Sequence, residues 1–189
     1  MKMVHCHRNP KWCTVTAIAF SVLGMKFRNQ TDENFVDCLH RFSLPFEVIN
    51  GDRFSAIYGE LITNYGKVFD LRPVVAREID GFQSAAYRTR GFSYFIAFYT
   101  MYREVIGNSV YVLTELHGQI SKPDTLFKLP SSIGLAMSHA HYGGVDRVCF
   151  TPNLRFLTIR DQNDTIVGYG DAIPCLKEFR ESYPEFVVA

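Results

Sequence analysis

The sequence predicts an α+β fold, with a helix-rich first half and a strand-rich second half. Two patterns carry this expectation. Before residue 105 the chain reads as apolar or amphipathic helical segments opened by capping residues and closed by glycines. After residue 106 it reads as short β-prone runs separated by glycine- and asparagine-containing turns. A chain of 189 residues with 47% hydrophobic and 21% charged residues can bury one sizeable core. The expected organisation is therefore one domain over 1–189, with a mainly helical lobe over 1–105 and a mainly β lobe over 106–189. No repeat, low-complexity tract or linker divides it.

Residues 1–12 look irregular and end in Asn9-Pro10-Lys11-Trp12. The run from Cys13 to Gly24 is apolar on nearly every side, which suits a buried helix, with Gly24 as its stop. Thr31-Asp32-Glu33 supplies an N-cap and first-turn acids for a second helix whose inner stripe is Phe35, Leu39 and Phe42. A third helix is expected over Ser55 to Tyr65, with Ile57, Leu61 and Ile62 inward. Pro73 can start a short fourth, reaching Ile79. Phe92 to Val105 fits helical spacing through Phe92, Phe95, Ile96 and Tyr99, while its aromatic content also fits a strand.

Further on, Val110 to Leu116 predicts a strand, and Ser121 to Ser132, with two prolines, a loop. Gly143-Gly144 between 133–142 and 145–150 predicts a hairpin. Gln162-Asn163-Asp164 between Leu154–Arg160 and Thr165–Tyr169 predicts a second. Pro174 opens a final helix, Cys175 to Glu181.

A net charge of +1 argues against a nucleic-acid binder that works by neutralising phosphates. Arg88 and Arg90 beside Tyr87 read as a solvated loop rather than a basic patch. Five cysteines, an odd number without regular spacing, do not form a disulfide framework, which favours reduced thiols and a cytoplasmic setting. Lys2, Arg8 and Lys11 before an apolar run outline a signal peptide. No small-x-small cleavage site follows, and the run is too short to span a bilayer. No membrane and no cofactor are expected. The 16 Phe and 10 Tyr could fill a core or line a groove, and composition does not separate the two.

The sharpest chemical feature is Cys13 at the start of its apolar segment. Unpaired amides and the dipole at a helix N-terminus stabilise a thiolate, the form that attacks carbonyl carbon, and can then hold an oxyanion. The competing reading is a cysteine packed as a small hydrophobe. Cys175 after Pro174 is a rival thiol on the same electrostatic reasoning.

The stretch Asn9-Pro10-Lys11-Trp12-Cys13-Thr14-Val15-Thr16-Ala17-Ile18-Ala19 resembles the opening of papain-like cysteine peptidases, especially small bacterial and bacteriophage members. In that family a polar amide residue precedes a Cys that begins the central helix. A helical lobe follows, and then a β lobe carrying the catalytic His. Ser138-His139-Ala140 and Asp146-Arg147-Val148-Cys149-Phe150 resemble the strand pair that bears this His. The resemblance implies a two-lobe arrangement and a peptide or isopeptide substrate within a protein. It implies Cys13 as nucleophile, His139 as general base, and Asn9 in the oxyanion hole. Asn153 or Asp146 would orient the imidazole, with Asp161 and Asn163 as further candidates. Ser138 stands where the family usually has Gly, and no Gln precedes Cys13.

His139 and His141 lie two apart and would share one face of a strand, so either can be the base. Together with an acid they could instead bind a metal, the basis of a metal-dependent hydrolase reading. His5-Cys6-His7 offers zinc-compatible ligands at a spacing that fits no standard pattern, and no metal is expected there. No G-x-S-x-G, H-E-x-x-H or kinase signature occurs. The alternative to a thiol hydrolase is a non-enzymatic viral or bacterial protein that binds and inhibits a host protein, which an exposed aromatic patch would favour.

Overall fold

In the computed structural model the described residues are 39–40, 43, 45–69, 84–88, 93–114, 125–131, 147–160 and 165–186. They contain strands β1 (Glu47–Ile49), β2 (Ser84–Arg88), β3 (Ser109–Thr114), β4 (Leu126–Pro130), β5 (Arg147–Phe150), β6 (Phe156–Arg160) and β7 (Thr165–Gly170). Helices α1 (Gly51–Phe69), α2 (Ser93–Met101), α3 (Arg103–Ile106) and α4 (Ala172–Ser182) accompany them, and a 3-10 turn, Pro184–Phe186, ends the described chain. The strands form one seven-stranded sheet in the order β1-β4-β3-β5-β6-β7-β2. Each neighbouring pair is antiparallel. The class is α+β.

Period-2 alternation distributes the strand residues between two buried faces. Val110, Val112, Phe127, Leu129, Cys149, Phe156, Ile166 and Ala85 face one apolar cluster, which includes α2, α3 and α4. Tyr111, Leu113, Leu126, Val148, Phe150, Leu157, Ile159, Val167 and Tyr169 face the other, which α1 covers through Phe54, Leu61 and Tyr65. Because both faces are covered, β6 is buried at all five positions, the polar Thr158 and Arg160 included.

The helices follow from their residues. Asp52 places an acid in the first turn of α1, and the Phe54 N–H donates to the Asn50 carbonyl (3.2 Å). Its regular geometry breaks at Tyr65 (φ −131°, ψ 16°), whose hydroxyl donates to the Leu154 carbonyl at 2.6 Å. α2 has Ala97, Phe98 and Tyr99 all buried. α4 turns Ala172, Cys175, Leu176 and Phe179 inward. It approaches β7 closely at Gly168, where an added Cβ would overlap the Leu176 side chain. Two residues on, Gly170 has φ +60°, and the space a Cβ would take there is filled by the Arg155 carbonyl, which accepts from the Asp171 N–H at 2.7 Å.

Several expectations hold. The third helix, the β3 strand, the hairpin of β6 with β7 and the final helix all occur, each within a few residues of its expected bounds. The 92–105 ambiguity resolves as helix, since α2 and α3 occupy it. Leu39, expected inward, is fully buried.

Others are corrected. The first half is not simply helical: it supplies β1 and β2, which form the two edges of the sheet. Tyr87 and Arg88 belong to β2 rather than a loop. The expected loop over 121–132 contains β4, and Pro130 is tolerated because it closes that strand. The hairpin centred on Gly143-Gly144 does not form at 147–150. Both edges of β5 are already occupied there, by β3 and β6.

Candidate functional site

Cys13, Asn9, His139, His141, Asp146, Asp161 and Asn163 lie outside the described residues, as do His5, Cys6, His7 and Arg90. Asn153 and the rival thiol Cys175 are the sequence-derived candidates that the described structure contains.

Asn153 sits in the turn from β5 to β6. The turn is built by reciprocal bonds between Thr151 and Phe156. The Thr151 N–H donates to the Phe156 carbonyl (3.0 Å), and the Phe156 N–H donates to Thr151 Oγ1 (3.2 Å). Asn153 Oδ1 then accepts from Thr151 Oγ1 at 2.6 Å and from the Arg155 N–H at 3.1 Å. This is the behaviour expected of Asn in a tight turn, where its side chain bonds to backbone two residues on. Leu154 takes a left-handed conformation (φ 56°) to complete the reversal. Arg155 clamps the turn to the start of α4, with Nε 3.1 Å from Asp171 Oδ2 and Nη2 3.3 Å from Asp171 Oδ1. That pair is largely exposed, so its contribution to stability is small. An imidazole N–H seeking Asn153 Oδ1 would compete with the two donors it already has.

Cys175 is not at the helix start. α4 begins at Ala172, two residues before Pro174, so Cys175 lies past the orphan amides that would stabilise a thiolate. Its Sγ instead donates to the Asp171 carbonyl at 3.2 Å. Burial, reinforced by the acids Glu178 and Asp171, pushes the thiol up to about 11. A thiol held there is about a hundredfold less ionised at neutral pH than an ordinary cysteine. Cys149 is buried on β5 at 1% exposure, and neither of these two cysteines is in a disulfide. Both are placed as small core residues.

Beside Cys175, the Tyr102 hydroxyl is buried and makes no hydrogen bond of good geometry. Burial holds its pKa well above 10.0, with Glu178 and Cys175 adding to the shift. Across the sheet, burial alone pushes Tyr169 up to about 12. On the α2 side, Tyr99 and Thr158 share a buried hydroxyl–hydroxyl bond of 2.8 Å. These are polar groups neutralised inside a core, not groups poised for proton transfer.

Among the described residues, no three of His, Cys, Asp and Glu are grouped as a metal site requires. No described helix is long and apolar enough to cross a membrane. The aromatic rings whose exposure is described are buried or half-buried, and the exposed large hydrophobic residues among them are Val48 and Val105. What sequence reasoning missed here is the Thr151–Phe156 turn. Its signal was present in Thr151-Pro152-Asn153, since Thr, Pro and Asn are each turn formers.

Comparison with protein-family models, with curated proteins and with solved structures finds no match to this chain.

Proposed function

We propose that the chain is a papain-like thiol hydrolase that cleaves a peptide or isopeptide bond, with Cys13 as nucleophile and His139 as general base. The observation that carries the reading is the segment Asn9 to Ala19, in which a thiol opens an apolar, helix-compatible run behind a polar amide residue. Two features support it. The rival thiol, Cys175, has the opposite electrostatics from an activated nucleophile. The chain order, with Cys13 in the first half and His139 in the segment leading to β5, is the order in which that family carries its thiol and its imidazole. In this proposal Asn9 contributes to the oxyanion hole. Orientation of the imidazole falls to Asp146 in preference to Asn153, whose acceptor is committed to its turn. His141 is the alternative base. The enzyme would work in a reducing compartment such as the cytoplasm, where its thiols stay unbridged.

The chemistry is acyl transfer. The His139 imidazole takes the Cys13 thiol proton, the thiolate attacks the carbonyl carbon, and the protonated imidazole returns the proton to the leaving amine. Water then hydrolyses the thioester. The test combines labelling with substitution. Iodoacetamide at mildly acidic pH should modify Cys13 before the other thiols. Cys13→Ala should lower hydrolysis of a fluorogenic protein substrate by at least roughly a thousandfold while circular dichroism is unchanged. Equal labelling of all five cysteines, or hydrolysis undiminished in the variant, would overturn the assignment.

A further inference from the structure

We draw no further inference here: the strongest candidate, the buried Arg160 opposite Arg147 in the register at one end of β5 and β6, already interacts within the fold, so that nothing points to a ligand there.

Discussion

The two faces of the sheet are filled in opposite ways. Towards α2 and α4 the central row of strand residues is small: Val112, Cys149, Thr158, Gly168 and Ala85 follow one another across β3, β5, β6, β7 and β2. The helices supply the volume, through Phe98, Tyr99, Tyr102, Phe179 and Leu176. Towards α1 the corresponding row is large: Tyr111, Phe150, Leu157 and Tyr169. There the strands supply most of the volume, and one helix suffices as cover. Close packing requires that large groups on one element meet small ones on the other. On the first face the strands add only Phe127 and Phe156 to the helical rings, while on the second Tyr111, Phe150 and Tyr169 of the strands meet Phe54, Tyr58 and Tyr65 of α1.

The largest expected effect is loss of the ring at the centre of the helix-filled face. Phe98 is fully buried and lies 5.2 Å from both Tyr99 and Tyr102, 5.7 Å from Phe179 and 6.4 Å from Phe156, measured between ring centroids. Phe98→Ala should cost about 3–5 kcal/mol in urea unfolding. Phe54→Ala on α1 should cost less, because Phe54 is 7% exposed and the ring stacked on it, Tyr58, is only half-buried. Equal losses would remove the asymmetry between the faces.

Next comes the small row itself. Gly168→Val should destabilise by roughly 3 kcal/mol, since its side chain would be driven into Leu176 and Ala172. Pairing it with Leu176→Ala should recover part of the loss. A neutral Gly168→Val would show that α4 stands further from the sheet than the packing described above.

How much of this was legible beforehand depended on whether a segment's neighbours lay nearby in sequence. The β6–β7 hairpin was readable because its pairing is local and its turn residues sit between two β-prone runs. The sequence Ser84-Ala85-Ala86-Tyr87-Arg88 has little strand propensity of its own, and it is held by pairing with β7, far along the chain. β1 is three residues long, too short for any period to show. In β4, prolines nearby suggested a loop, although Pro130 only ends the strand. For the candidate site, the sequence offered residue types without environments. Cys175 after Pro174 looked like a helix-start thiol, but the helix starts at Ala172, and burial with Glu178 and Asp171 nearby raises the thiol instead. Asn153 looked like an orienting amide, and its turn bonds are a use that residue type has in many loops.

A smaller effect is expected from the polar bond within the helix-filled face. Tyr99→Phe removes one hydroxyl of the Tyr99–Thr158 pair and leaves the other at 0% exposure. The loss should be about 1 kcal/mol. Combining it with Thr158→Val should cost less than the sum of the two single changes, because a shared bond is lost only once. Strict additivity would mean that the two hydroxyls are satisfied independently.

The smallest expected effect separates the faces by titration. Cys175 belongs to the helix-filled face, and its thiol rises from an ordinary 9.0 to about 11 on folding. A raised value in the folded state means that folding favours the protonated form. The contribution is therefore intact below pH 9 and is lost as pH rises from there through the folded value. At pH 9 the unfolded thiol is half ionised while the folded one stays neutral, so the protein should lose about 0.4 kcal/mol relative to pH 7 from this group alone. Cys175→Ser removes the titration and keeps a donor for the Asp171 carbonyl. Urea unfolding of both proteins at pH 7 and pH 9 should show the stability gap between them narrowing by that amount in alkali. Tyr169, on the α1-covered face, has an ordinary value of 10.0 and reaches about 12, so its own loss begins about one pH unit later and is common to both proteins. A gap that does not change with pH would mean that the thiol ionises alike in the folded and unfolded chains, and that the helix-filled face is open to water at α4.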